Sequence, residues 1–266
     1  MINGRVGSLG RALTLLEALG SDEVVAAGGF TVGELAAING REKSQVSRML
    51  ATLADAGFAE RDPESRRYRL GWRVFALATR SGDQRLLTAS RPILTRLVRE
   101  TGESSHLSVL SGNSVLTLLT ESPARALHAV SWVGRMVPAT ATSSGRALLL
   151  DHDRERLVAV LGDLAWQPPT AKAPRDVTEL LERIQQARAC GFALVDEELE
   201  PGLVAVGAPI RDGVGRIVAA LNVSAPKFRL GTRSAATGEI VAAAAADVSR
   251  RLGPPLPDPA PAAKSA

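Results

Sequence analysis

Apolar residues recur with two different periods along this chain, and the change of period divides it. Leu9, Leu13 and Leu16 stand at i, i+4 and i+7, the spacing of one helical face, with Ser8 placed to cap that helix and Gly20 to end it. A small-residue loop over 24–29 leads to Thr31, which has Glu34 at capping-box spacing. A short helix bearing Leu35 follows, broken by Asn39-Gly40, and a longer helix is expected over 43–56 with Gly57 placed to terminate it. Residues 58–61 and 67–70 then flank Asp62-Pro63-Glu64-Ser65-Arg66, which reads as strand, turn and strand. Tyr68 and Leu70 share one face of the second strand and Arg67 and Arg69 the other, so the arginines are expected to face outward. Together these elements predict a winged helix-turn-helix over 8–70.

After this the pattern loosens and then changes. Residues 72–89 read as a connecting helix pair interrupted near Ser81-Gly82, and 92–101 as an amphipathic helix stopped by Gly102. Two-residue alternation makes 106–110 and 115–120 a hairpin across Ser111-Gly112-Asn113, and 127–132 a further strand. Helices are expected over 144–150, 154–161 and 176–189, the last with Asp176 and Glu179 at capping-box positions. Strands over 203–210 and 216–223 flank a glycine-bearing turn, and an alanine-rich helix over 232–252 closes the pattern. The expected organisation is a winged helix-turn-helix in 1–71, a linker helix in 72–89, an α+β domain in 90–252 and a disordered proline- and alanine-rich tail in 253–266.

Composition narrows the classes. At 266 residues and 45% hydrophobic content the chain has apolar material for two modest cores. No apolar run approaches the roughly 18 residues of a membrane span, and the N-terminus lacks the layout of a signal peptide, so a cytoplasmic protein without membrane contact is expected. The single cysteine, Cys190, excludes an internal disulfide framework and is expected to be a buried, inert thiol. A net charge of +4 with interspersed acids says little about nucleic acid. Aromatic content of 3% argues against stacking recognition of single strands and leaves duplex DNA as the better polyanion.

Local placement carries the DNA argument. Val46, Leu50 and Leu53 share one face of the longer helix, leaving Ser44, Gln45, Arg48 and Thr52 on the other. A recognition helix enters the major groove N-terminal end first, which puts Lys43, Ser44, Gln45, Ser47 and Arg48 where base edges and phosphates lie. Gln pairs bidentately with adenine and Arg with guanine, while Ser and Lys suit phosphate. Arg66, Arg67 and Arg69 on the wing would meet the flanking backbone or minor groove. Each residue alone could be an ordinary polar surface position, and winged helices also dock proteins; the ensemble favours DNA.

In the second domain, the polar loop from Val137 to Leu148 suits an anion, because backbone N–H groups at a helix start carry partial positive charge and its hydroxyls add donors. The plainer reading is that Thr142 or Ser143 caps the helix. An enzyme, a hydrolase or transferase with a winged-helix appendage, is the alternative. Asp196, Glu197, Glu198 and Glu200 could do acid–base or metal chemistry, but such runs are more often solvated loops. His106, His128 and His152 lack ligand spacing, each expected singly on a strand or surface, and Ser143 and Ser144 lack a nucleophile elbow. No catalytic residue, metal site or cofactor is expected.

The segments Arg11-Ala12-Leu13, Leu16-Glu17, Glu34-Leu35-Ala36, 43–53 and Tyr68-Arg69-Leu70-Gly71 agree in identity and spacing with one known pattern. Through them, and over nearly its whole length, the chain resembles the IclR family of bacterial transcription regulators. The resemblance implies a homodimer or dimer of dimers, a linker helix that helps dimerise, and a C-terminal GAF-like domain, an antiparallel sheet flanked by helices, that binds a small effector. It puts Ser143 and Ser144 at positions facing the ligand backbone, Ala205 on a central strand, and Asn222 and Ser224 at polar pocket positions. Val195 and Ala205 stand where better-known members carry an acid and a cysteine, so their ligands do not transfer. Residues 133–146 and 220–224 are similar to the branch controlling aromatic-acid and β-ketoadipate catabolism, which suggests an aromatic acid or small dicarboxylate. Arg146 and Arg135 are candidate carboxylate partners there, although a solvent-facing charge is favoured for each. The resulting expectation is a regulator binding an inverted-repeat operator under control of a small organic acid.

Overall fold

The computed structural model describes residues 7–78, 84–123, 132–162 and 166–253, and the chain divides into two compact units, Met1–Gln84 and Arg85–Ala266. In the first, α1 (Ser8–Leu19), α2 (Asp22–Ala26), α3 (Val32–Ile38) and α4 (Lys43–Asp55) precede the strands β1 (Ala59–Arg61) and β2 (Tyr68–Leu70), with α5 (Trp72–Ala78) following. Leu15, Leu19, Val24, Leu35, Val46, Leu50 and Tyr68 form its core. Two local expectations are corrected. Ser8 is the first helical residue of α1 and makes no cap bond, Gly7 occupying the cap. The small-residue stretch after Gly20 contains α2, started by Ser21, whose side chain accepts from the Val24 N–H; the buried Val24 gives that turn its packing. The Thr31–Glu34 capping box is present on α3.

The second unit begins within α6 (Gln84–Thr101) and continues as β3 (Ser104–Ser111), β4 (Ser114–Glu121), β5 (Met136–Pro138), α7 (Ser143–Leu148), α8 (Arg154–Leu161), α9 (Val177–Cys190), β6 (Ala193–Asp196), β7 (Leu203–Arg211), β8 (Ile217–Pro226), α10 (Lys227–Leu230) and α11 (Ser234–Leu252). The strands form one antiparallel sheet in the order β5-β4-β3-β8-β7-β6. Alternation sorts the side chains between its faces. Leu107, Val206, Leu221 and Val223 pack with Ile93, Leu94 and Leu97 of α6 and Val241 and Val248 of α11. On the other face Val115, Ala193 and Ala220 pack with α7, α8 and α9.

Several expectations meet the structure differently. Helix α6 runs unbroken through Pro92 where the sequence suggested separate segments. Proline removes one backbone bond, but Leu86, Ser90, Ile93, Leu94, Leu97 and Thr101 are buried at helical spacing on both sides of it, and that packing outweighs the loss. Glu179 does not complete a capping box: Asp176 caps α9, while Glu179 reaches back to the Arg175 N–H. Cys190 is exposed at the end of α9 rather than buried. Strands β5 and β6 were not anticipated, being too short to show alternation. The expected break at 81–82, nearly all of the strand over 127–132, His128 and residues 254–266 of the tail lie outside the described residues. No described helix is long and apolar enough to cross a membrane.

Candidate functional site

The first unit presents a polar helix face beside a hairpin. Val46 and Leu50 fix α4 by burial, and Lys43, Ser44, Gln45, Ser47 and Arg48 stand exposed on its N-terminal half. Gln45, Arg48 and Met49 line a groove with Ser8 and Arg11 of α1. Arg11 was not singled out from the sequence, since only the packing of α1 brings it beside Arg48. Neither of these arginines nor Lys43 belongs to an ion pair among the described residues.

The wing arginines differ from expectation. Arg67 precedes β2 and folds back, donating to the Gly29 carbonyl at 2.7 Å and to Glu34 at 3.4 Å. It is half-buried rather than turned outward. The Thr31 backbone N–H holds the Glu34 carboxyl below its usual range, so Glu34 reaches Arg67 as a carboxylate. Arg69 is exposed but pairs across the strands with Glu60 at 3.1 Å. Arg66 is exposed at the turn with φ of 57°, and Asp62 accepts the Ser65 N–H beneath it. Of the three, Arg66 alone lacks an acidic partner among the described residues.

The second unit encloses a cavity between its sheet and the segment entering α7, with about 520 Å³ of unfilled space including its mouth. Alternate residues of the strands supply the floor: His106 and Ser108 from β3, Val115 and Thr117 from β4, Val195 from β6, Leu203 and Ala205 from β7, and Asn222 and Ser224 from β8. Trp132, Val137 and Leu199 join Ala141, Thr142, Ser143 and Ser144 around it. All five positions that the family resemblance selected therefore face one space.

Two glycines bring the α7 segment onto the sheet. A Cβ on Gly207 would stand 2.9 Å from the Ser143 backbone, and one on Gly145 would stand 2.0 Å from the Ala139 carbonyl oxygen. Thr142 caps α7, accepting from the Gly145 N–H at 3.1 Å, which leaves the Ser143 hydroxyl for another role. That hydroxyl is buried without a hydrogen-bond partner among the described residues. Ser144 donates to Asn222 Oδ1 at 2.8 Å, leaving the Asn222 amide N–H groups as donors.

His106, expected singly on a strand or surface, lies on β3 and faces the cavity. Its Nδ1 lies 3.0 Å from Thr120 Oγ1 and its Nε2 3.0 Å from Ser224 Oγ. Burial pushes its pKa down to about 4, so it is neutral at ordinary pH. The signal for it was the alternation of Ser104 to Leu110, which puts His106 and Ser108 on one face. Trp132 lies edge-on to it at 6.4 Å and carries the exposed Arg135 guanidinium at 5.4 Å. Sequence alone gave no sign of Trp132 or Leu199.

Arg146 is corrected most. It is 2% exposed, pairs with Glu198 and donates to the Leu194 carbonyl at 2.8 Å, so it is neither solvent-facing nor available to a ligand carboxylate. Burial lowers its pKa, and Glu198 opposes that shift. Arg183 also meets Glu198 at 2.6 Å. Lys227 bonds Asp196 and Glu197, and Glu198 is held by Arg146 and Arg183, so three of the four acids form an ion-paired strap while Glu200 stays exposed. Among the described residues no three His, Cys, Asp or Glu side chains gather at metal-binding distance.

A helix-turn-helix unit followed by a sheet domain with a partly open cavity is the arrangement of ligand-sensing transcription regulators. The family model for the IclR helix-turn-helix domain matches residues 8–63, and that for the bacterial transcriptional regulator IclR C-terminal domain matches 80–250. The chain is 32% identical over 257 residues to the HTH-type transcriptional regulator BhcR of Paracoccus denitrificans, covering 95% of this chain and 89% of that one. It is 34% identical over 194 residues to the Pca regulon regulatory protein of Pseudomonas putida, covering 72% and 66%. An IclR homolog of Microbacterium hydrocarbonoxydans, crystallised with 4-hydroxybenzoate, superposes with TM-score 0.75 at 25% identity over 92% of this chain and 99% of that one. The chain belongs to the IclR family of bacterial transcriptional regulators.

Proposed function

We propose that this chain is a cytoplasmic regulator that binds an inverted-repeat operator as a homodimer or dimer of dimers. A small organic acid entering the cavity of the second unit changes its hold on DNA, and the protein binds this effector without turning it over. The observation that carries the effector reading is the Ser143 hydroxyl, 1% exposed on the cavity wall and without a hydrogen-bond partner among the described residues. With the Asn222 amide beside it, it offers donors that suit one carboxylate. Trp132, Val195, Leu199 and Leu203 give apolar contact to a ring. The 4-hydroxybenzoate of the Microbacterium structure supports an aromatic acid as the class.

In this reading Lys43, Ser44, Gln45, Ser47 and Arg48 meet base edges and phosphates, Arg66 and Arg11 add backbone contacts, and Arg67 and Arg69 contribute only after leaving their acids. Support for self-association comes from α5, where Trp72 is 74% and Phe75 63% exposed, an apolar face that a second copy would cover. The linker over 72–89 would carry the coupling between an effector domain over 90–252 and a DNA-binding domain over 1–71. Effector and operator must then alter each other's affinity by the same factor.

The test is a thermal-shift screen of benzoates and dicarboxylates on the full chain, paired with fluorescence anisotropy on the DNA flanking its gene. A bound acid raises the melting temperature, and Ser143→Ala with Asn222→Ala abolishes that rise while operator binding persists. An undiminished shift in the double variant refutes the assignment of the pocket.

A further inference from the structure

Among the described residues no Lys, Arg, Asp or Glu lines the cavity, and the one titratable group there, His106, is 4% exposed. His106 bridges two hydroxyls, Thr120 Oγ1 and Ser224 Oγ, each at 3.0 Å. A neutral imidazole has one donor and one acceptor nitrogen, whereas a hydroxyl serves in either role. The row Thr120, His106, Ser224 therefore closes in either tautomer. When Nε2 accepts from Ser224, the Ser224 oxygen is left to accept from a ligand; when Nε2 donates, the Ser224 proton is left for a ligand acceptor. Either way the group that Ser224 meets is uncharged. A second carboxylate there gives up its water for the single neutral hydroxyl of Ser224, without the paired donors that Ser143 and Asn222 offer the first and without a cation among the described residues, and burial resists protonation of the ring that would supply one.

We infer that His106, acting through Ser224, makes the cavity selective for a singly charged acid that also carries an uncharged hydroxyl or carbonyl, and that it rejects dianions. This rests on the proposed function, in which Ser143 and Asn222 hold the single carboxylate. It narrows the effector from aromatic acids and dicarboxylates together to hydroxylated or carbonyl-bearing monoacids. His106 is here a specificity-determining residue, distinct from the positions that the family pattern selected.

The experiment is calorimetric titration of the full chain at pH 7.5 with benzoate, with 3- and 4-hydroxybenzoate, and with terephthalate, which keeps the ring and adds a second carboxylate. The better hydroxybenzoate binds at least tenfold tighter than benzoate, and terephthalate at least tenfold weaker. In Ser224→Ala, and in His106→Phe if that variant folds, the affinity for the hydroxybenzoates falls by more than the affinity for benzoate, so that the preference for the hydroxyl drops to within twofold. A merely structural role for either residue would weaken all ligands together, and that outcome overturns the inference, as does terephthalate binding as tightly as benzoate. If benzoate binds but no hydroxyl preference is found, this inference fails and the proposed function stands. If no acid binds, both fail.

Discussion

The buried imidazole makes a stability prediction whose sign and size follow from its position. His106 titrates near 6.5 in the unfolded chain and near 4 in the fold, because burial disfavours the charged ring. Its folded pKa is depressed, so below pH 6.5 the unfolded chain takes up a proton that the native protein refuses, and stability falls as pH falls towards 4. Linkage puts the loss at about 2 kcal/mol by pH 5 and about 3 kcal/mol by pH 4, relative to pH 8. Urea unfolding followed by circular dichroism at pH 8, 6.5 and 5 measures it, with His106→Gln as the reference chain. His152, also shifted down by its partial burial, contributes with the same sign but is present in both chains and cancels. Between pH 8 and pH 5 wild type should lose about 2 kcal/mol more than the variant. Parallel stability profiles for the two chains would falsify the burial argument, and with it the neutral relay to Ser224.

Other consequences are open to direct measurement. Glu198→Ala leaves the buried Arg146 without its counter-charge and should cost about 3–5 kcal/mol in urea unfolding, whereas joint replacement of Arg146 and Glu198 by Met and Leu should recover much of that. Gln45→Ala with Arg48→Ala should abolish sequence preference in anisotropy competition, and unchanged discrimination between operator and random DNA would remove α4 as the reading element. Glu60→Gln releases Arg69 and should steepen the dependence of log affinity on log salt by about 0.9; an unaltered slope would mean that Arg69 meets no phosphate. Gly207→Ala forces a Cβ to 2.9 Å from the Ser143 backbone and should abolish the thermal shift with benzoates while operator binding is retained.

What the sequence revealed depends on how far each signal reaches along the chain. Helix faces such as Val46 and Leu50, the Thr31–Glu34 box and the hairpin between β3 and β4 are set by neighbours in sequence, and they were legible. The five pocket positions came from resemblance, since nothing in their spacing shows that Ser144 and Asn222 would meet 78 positions apart. Arg146 was misread because its partner lies 52 positions away on a loop whose own composition looks solvated. The same holds on the wing, where alternation predicts which way Arg67 starts but not that the Gly29 carbonyl and Glu34 draw it back. His106 shows the intermediate case, with its face legible and its hydroxyl partners supplied by β4 and β8.

Val195 and Ala205 are direct register partners on β6 and β7, and both are small residues facing the cavity. Val195 lies two strands from Ser224, whereas Ala205 is the register partner of Ser224 and stands two residues along β7 from Gly207, which closely approaches Ser143. For anyone building a biosensor on this scaffold, these two sites form a tunable dial. Enlarging or polarising position 195 reshapes the apolar side of the pocket, position 205 tunes the end that Ser224 forms, and position 207 is a keystone where a Cβ would meet the Ser143 backbone. Libraries confined to positions 195 and 205 should therefore yield altered effector ranges without the loss of folding that broader randomisation of the pocket would bring.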